Sequence, residues 1–319
     1  PGVEAVVAVV RLHQSPLALF VSGVGCGGKG CQALSECCDL LLGLDLGRNT
    51  IPDDALTKLL RAPGPRMRHL EVPQLSAASR DAGGSWRSAA TKCGFARALA
   101  DGLRAGQAPL RVLNLACNNL QDAGVRLLAD AFAAQGPVAL ERLDLSTNAL
   151  EDGNALCKIL VGAGSHLAHL NLEGNHLCDL AVIALSAAVA LAAPLQRLNL
   201  ARNRFSDEGM KALADSMRYQ CDNASACSPK SATESTLREW LLQVRSATGE
   251  SWEDSAAGLL QLDVSINMIT DRGALAIAQA LSQDGGANLA YVDLSANSIG
   301  AAGVDALIAC VRANHKLVR

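Results

Sequence analysis

Apolar and polar residues follow two different spacings along this chain, one after the other. In LRVLNLACNNL (110–120), LERLDLSTNAL (140–150), LAHLNLEGNHL (167–177) and LQRLNLARNRF (195–205), apolar side chains hold positions 1, 4, 6 and 11 and asparagine holds position 9. LLGLDLGRNTI (41–51), LLQLDVSINMI (259–269) and LAYVDLSANSI (289–299) keep the same frame. The alternation around positions 4 to 6 predicts a short strand whose leucines turn inward. After a turn come GVRLLADAFAAQ (124–135), GMKALADSM (209–217), GALAIAQAL (273–281) and GVDALIACV (303–311), with apolar residues at helical spacing. The strand starts at 110, 140, 167 and 195 lie 27 to 30 residues apart. A strand–turn–helix unit this thin cannot bury its own apolar face, so the pattern predicts stacked coils that complete one another.

The rhythm breaks twice. From Met67 to Leu110 the interval is 43 residues, and from Leu195 to Leu259 it is 64. In the first case Leu75 stands where asparagine belongs and the helix glycine, Gly94, arrives late, so about 76–90 is read as an insertion between strand and helix. In the second the asparagine and Gly209 are on time, so residues 221–257 form an insertion after the helix. The second insertion opens with Ser, Asn and Pro, a composition that favours disorder. Further on, Leu237, Trp240, Leu241 and Val244 stand at helical spacing, whereas Leu237, Trp240 and Leu242 fit positions 1, 4 and 6 of a decayed coil. All three tryptophans, Trp86, Trp240 and Trp252, fall in these insertions. They serve either to pin their loops or to dock a partner, since tryptophan is enriched at binding hot spots. Gly2-Val3 aligns with Gly124-Val125, and HKLVR (315–319) starts like another strand. Residues 1–319 are therefore expected to form a single solenoid cut from a longer one.

One stretch imitates a different architecture. PLALFVSGVGCGGKGCQAL (16–34) has the apolar run, glycines and lysine of a phosphate-binding loop. The residue after Gly28-Lys29 is Gly30, where a magnesium-binding loop needs Ser or Thr. Aligning Gly30 with Gly124 puts Leu19 and Val21 on the inward strand positions and Cys26 on Leu120, with Val24 replacing the asparagine. The stretch reads as one more coil.

Composition removes several functions. Half the residues are hydrophobic but only 3% are aromatic, so the core is aliphatic and suits thin layers. A net charge of −3 supplies no basic field for nucleic acid. The 11 cysteines are scattered without a C-x-x-C pair, which argues for reduced, buried thiols in an intracellular protein and against a zinc site. The longest apolar run, 181–193, is too short to span a bilayer. The histidines at 13, 69, 166, 169, 176 and 315 show no HExxH spacing, and no G-x-S-x-G accompanies them. No catalytic set, metal or cofactor is expected.

The recurring L-x-x-L-x-L-x-x-N-x-L frame with a full helix resembles the ribonuclease-inhibitor class of leucine-rich repeats, shared with Ran GTPase-activating proteins and the repeat domains of NOD-like receptors. The resemblance implies an α/β solenoid of about nine coils, a horseshoe with parallel strands on its concave face and helices on its convex face. It implies a ladder in which Asn49, Asn118, Asn148, Asn175, Asn203, Asn267 and Asn297 bond the backbone of their own and the neighbouring coil. It also implies a non-enzymatic, intracellular and cytoplasmic scaffold or regulator that grips another protein on that face, a large cytoskeletal or axonemal assembly being one setting. Two alternatives are a GTPase-activating protein of the Ran-regulator type and the sensor or autoinhibitory repeats of a NOD-like receptor. No active-site residue of the Ran regulators finds a match here, and their acidic tail is missing.

Positions 3, 5, 7 and 8 should face a partner. Position 5 reads Phe20, Asp45, Glu71, Asn114, Asp144, Asn171, Asn199, Asp263 and Asp293. The middle coils add Arg142, His169, His176, Arg197, Arg202 and Arg204, with Glu173 among them, and Tyr291 stands near the end. The expected partner-binding residues are Arg142, Asp144, His169, Glu173, Arg197, Arg202, Arg204 and Tyr291, joined by the three tryptophans. A face basic in the middle and acidic toward both ends suits a partner of complementary mixed charge.

Overall fold

A computed structural model describes residues 2–13, 15–61, 66–77, 92–105, 110–135, 139–162, 166–191, 195–222, 258–282 and 289–313. Two compact units divide the chain, Pro1–Leu150 and Glu151–Arg319. The first contains α1 (Gly2–His13), β1 (Leu17–Phe20), α2 (Gly28–Ser35), β2 (Leu41–Asp45), β3 (Thr50–Ile51), α3 (Asp53–Arg61), β4 (His69–Glu71), β5 (Ser76–Ala77), α4 (Lys92–Ala105), β6 (Val112–Asn114), α5 (Gln121–Gln135) and β7 (Arg142–Asp144). Its main strands run parallel in the order β1-β2-β4-β6-β7. Leu44, Leu70, Leu113 and Leu143 share one register row and are all buried. Phe132 is the one large aromatic sealed into this unit's otherwise aliphatic core among the described residues.

The second unit contains α6 (Gly153–Gly162), β8 (His169–Asn171), α7 (Asp179–Leu191), β9 (Arg197–Asn199), α8 (Asp207–Asp222), β10 (Gln261–Asp263), α9 (Asp271–Ser282), β11 (Tyr291–Asp293) and α10 (Ala301–Ala313). Strands β8-β9-β10-β11 are parallel and neighbour one another in sequence order, as stacked coils require. β10 pairs directly with β9, Gln261 opposite Arg197, despite the long interval between them. Each unit is thus an α/β solenoid segment in which leucines at positions 4 and 6 leave water together. Each such side chain contributes roughly 1.5–3 kcal/mol of burial. Close stacking explains one glycine: a Cβ at Gly153 would stand 2.2 Å from the carbonyl oxygen of Ala181 on α7.

The asparagines at position 9 tie coil to coil. Asn203 Nδ2 donates to Leu172 O and Leu200 O, both at 3.0 Å, and its Oδ1 accepts from Leu177 N at 3.1 Å. Asn49 does the same in the first unit, donating to Val21 O and Leu46 O and accepting from Cys26 N. A strand exit is where backbone groups lose their ladder partners, and a buried amide with both donor and acceptor repairs that loss. Where Leu75 replaces asparagine, its own N–H donates to Asn118 Oδ1 at 2.9 Å.

Three features have no counterpart in the pattern of leucines. Thr50–Ile51 and Ser76–Ala77 form a second, two-stranded parallel sheet, the latter pair standing at the opening of the first insertion. Position 8 is left-handed at Arg48, Gln74, Cys117, Thr147, Arg202, Ile266 and Ala296, with φ between 53° and 59°. Carboxylates also staple successive helices of the second unit. Asp179 Oδ1 accepts from Ser206 N and Gly209 N, Asp207 Oδ1 from Thr270 N and Gly273 N, and Asp271 Oδ1 from Gly300 N and Gly303 N. Each helix start therefore caps the next one, which leaves fewer of its first amides unpaired.

The glycine-rich stretch near the start folds as β1, a loop and α2. Val21, Cys26, Cys31 and Leu34 are buried on the coil frame while Lys29 and Val24 are exposed.

Candidate functional site

The exposed strand face begins with position 5, and most of that position is taken up by the fold itself. Asp45 Oδ1 accepts from Gly47 N at 2.8 Å, Asp144 Oδ1 from Ser146 N at 2.8 Å, Asp263 from Ser265 N at 3.0 Å and Asp293 from Ser295 N at 2.8 Å. Asn114, Asn171 and Asn199 make the same bond to the amide two residues on. An aspartate or asparagine that closes a turn on its own backbone is the standard device for leaving a strand. The stripe of carboxylates and amides is a row of turns first, and Asp144, whose carboxylate also accepts from Ser146 Oγ at 2.6 Å, is committed to one. Phe20 breaks the row: it is 72% exposed where its neighbours have Asp45 and Glu71.

Side chains at positions 3, 8 and 10 are not used this way. In the first unit Arg142 is exposed on β7. In the second unit His169 and Arg197 face each other across β8 and β9, the histidine half-buried and the arginine exposed. Arg202 Nε lies 3.4 Å from Glu173 Oε1, and Asn199 Nδ2 lies 3.4 Å from the other oxygen of that carboxylate. Arg197 and Arg204 are exposed and pair with no carboxylate among the described residues. His176 Nδ1 lies 3.8 Å from Glu151 Oε1, a loose surface pair. At the far end Tyr291, 44% exposed, donates its hydroxyl to Asp293 Oδ2 at 3.3 Å. The Asp293 charge pushes the Tyr291 phenol up, while hydrogen bonds from Ser295 hold Asp293 below the usual carboxylate range. Charge on this face thus grades from cationic over β9 to anionic over β10 and β11, where Asp263 and Asp293 are register partners.

Two exposed apolar residues on the same face escaped the sequence reading. Ile266 is 43% exposed at position 8 and Met268 is 53% exposed at position 10. The missed signal was available, because both are apolar at frame positions where sibling coils carry Gly174, Arg202 and Ala296, or His176, Arg204 and Ser298. Trp86, Trp240 and Trp252 lie outside the described residues.

Among the described residues no three His, Cys, Asp or Glu side chains group as metal ligands, and no helix is long and apolar enough to cross a membrane. Among the described residues eight cysteines are free thiols, most of them buried. Burial, aided by Asp152, pushes Cys157 up to about 12, and its thiol donates to Ala184 O at 3.1 Å. The Cys26–Cys31 hydrogen bond and burial push Cys31 up as well.

Known proteins resemble the chain along this same frame. The Leucine Rich repeat family profile matches residues 107–129, 193–214 and 259–278. NACHT, LRR and PYD domains-containing protein 5 of Homo sapiens is 28% identical over 257 residues, covering 70% of this chain and 20% of its own length. The Ribonuclease inhibitor of Sus scrofa is 29% identical over 229 residues, covering 70% of this chain and 47% of that protein. The chain spans a fifth to about a half of these curated relatives. A solved internalin from Listeria monocytogenes covers 91% of this chain and 81% of its own at 15% identity, with a TM-score of 0.30.

Proposed function

Since the chain is a leucine-rich-repeat protein of the ribonuclease-inhibitor-like class, we propose that it is a non-enzymatic module whose exposed strand face binds another protein. Protein interaction is the common use of such repeats; the assignment to this face rests on one observation. Arg197 and Arg204 stand exposed and pair with no carboxylate among the described residues, while the neighbouring position-5 side chains close turns. His169, Arg202, Glu173 and Tyr291 extend the surface within the second unit, Arg142 offers a like position on the first, and a complementary partner gains orientation and encounter rate from such charges. The same reading takes residues 1–319 as one repeat run with insertions at about 76–90 and 221–257, their tryptophans adding contacts. It places the protein in the reducing cytosol, in keeping with the free thiols.

Arg197→Glu with Arg202→Glu tests the face. The double variant should keep the wild-type melting temperature, since both residues are exposed, yet recover a partner captured by the wild type at a tenth or less of its level. Equal recovery dismisses the face.

The match to a NACHT, LRR and PYD protein favours a narrower version, in which these coils are the sensing or autoinhibitory repeats of a larger receptor. A transcript encoding a nucleotide-binding NACHT domain ahead of Pro1 supports it. Further coils or a coiled coil there support a scaffold instead.

A further inference from the structure

We infer that the strand-exit rim of the second unit, where Arg202 and Arg204 stand beside Ile266 and Met268, is a docking subsite for a protein segment carrying an acidic side chain next to an apolar one. The inference rests on the protein-binding reading and names the chemistry of the partner.

Local physics argues against Ile266 where it stands. Its φ is +54°, a left-handed conformation that crowds the Cβ of any L residue and is worst for a β-branched one. The same position holds Gly174, Arg202 and Ala296 in the second unit's other coils, and the first unit's Thr147, at φ +54°, is its β-branched counterpart. Ile266 gains no core burial in exchange, being 43% exposed, and the coil's core is already filled by Leu259, Leu262, Val264 and Ile269, all buried. Met268, two residues on, is 53% exposed. Strain and apolar exposure coincide on one short turn, and such coincidences cluster where a surface is kept for a ligand.

Backbone hydrogen bonds fix what lies beside this pair. Arg202 N donates to Ser265 O at 2.9 Å, Met268 N to Phe205 O at 3.0 Å and Ile266 N to Ser295 O at 2.9 Å. Position 8 therefore reads Arg202, Ile266, Ala296 from coil to coil, and position 10 reads Arg204, Met268, Ser298, at the strand spacing of roughly 4.8 Å. Two arginines border the apolar pair on one side and two small residues on the other, so the pair forms a step that a side chain can rest against.

Charge selects the occupant and its direction. An acid placed over the β9 coil meets Arg197, Arg202 and Arg204, of which only Arg202 meets a carboxylate among the described residues, Glu173 at 3.4 Å. One or two coils further it would meet Asp263 and Asp293. The segment must therefore lay its carboxylate toward β9 and its apolar side chain on Ile266 and Met268. A nucleic acid strand, charged at every step, would be repelled over β10 and β11.

The test is fluorescence anisotropy on the full chain with a short labelled peptide of repeating Glu-Leu-Asp-Phe. Its comparators are Lys-Leu-Lys-Phe and Glu-Ser-Asp-Ser peptides and an oligouridylate. Saturable binding of the first, with the other three at least about tenfold weaker, is expected. Ile266→Gly should weaken that binding about tenfold while the melting temperature holds or rises, because glycine relieves the left-handed turn. Met268→Ser should act in the same direction, and Arg202→Glu should remove the salt dependence as well. No saturable binding of the acidic–apolar peptide, equal binding of a comparator, or Ile266→Gly binding like the wild type each overturns the subsite. If the peptide fails while Arg197→Glu with Arg202→Glu still loses the captured partner, the broader strand-face reading stands and this subsite alone falls.

Discussion

Replacing Asp207 by alanine removes the acceptor that joins two successive helices of the second unit. Its Oδ1 takes Thr270 N at 2.8 Å and Gly273 N at 2.9 Å, and its Oδ2 takes the Thr270 hydroxyl at 2.6 Å. Thr270 directly precedes α9 and Gly273 lies in its first turn, so Asp207 caps that helix from the coil before. Loss of a helix cap costs about 1–2 kcal/mol. The buried Gly273 amide, left without a partner, adds about 1 kcal/mol. A total of about 2–3 kcal/mol should lower the melting temperature by about 5–10 °C. Asp207→Asn keeps an acceptor for both amides and should cost only about 0.5–1 kcal/mol through the lost charge at a helix N-terminus. Glu208→Ala, next door on the surface and 3.5 Å from Arg272, should stay within about 0.5 kcal/mol of the wild type.

The same residue has a signature in pH. Burial alone would push the Asp207 carboxyl up, but the Thr270 hydroxyl, the Thr270 and Gly273 amides and Arg272 outweigh it and hold its pKa below the usual range. A carboxyl depressed on folding contributes stability that is present above its unfolded value of about 3.9 and lost as pH falls through the folded value. The gap between wild type and Asp207→Asn in urea melts should therefore be full at neutral pH and close in acid. Equal stability of wild type and Asp207→Ala at neutral pH, or an Asn variant as damaged as the Ala variant, would refute the cap.

The remaining expectations concern packing and reactivity. Asn203→Ala strands the Leu177 amide, while Asn175 and Asn267 still donate to the Leu172 and Leu200 carbonyls, and should cost about 1–3 kcal/mol in denaturant melts. A loss under about 1 kcal/mol would mean that water replaces the amide. Leu200→Asp places a carboxylate at a fully buried position and should abolish the cooperative transition of the second unit in thermal circular dichroism. Alkylation with iodoacetamide at neutral pH, mapped by peptide mass, should mark exposed Cys178 long before Cys157, whose thiol is buried and raised to about 12.

How far the leucine frame reached can be judged from particular residues. It put Leu44, Leu70, Leu113 and Leu143 in one row, and Leu170, Leu198 and Leu262 in another, because inward positions of parallel strands have no other place to go. It also sorted Cys26 and Cys31 into a coil rather than a phosphate loop. It did not show that the strand face also does local work: Asp263 and Asp293 keep their charge there, and each in addition spends an oxygen on its own turn, at Ser265 and Ser295. It passed over Ile266 and Met268, because a frame that marks inward leucines gives no weight to an apolar residue outside the frame.

What the sequence determined alone is the period: where the repeating strands and helices fall, which side chains face inward, and that neighbouring coils must stack. Those follow from spacing, because burial depends only on which side of a strand or helix a residue occupies. What the tertiary structure decided is everything that depends on the coil next door. Asp207 reaching across 63 residues to Thr270, the left-handed turn under Ile266, and the placing of Arg202 beside that turn all arise from stacking. Stacking joins residues by strand spacing rather than by chain distance, and no local pattern of hydrophobicity records which polar group will stand opposite another.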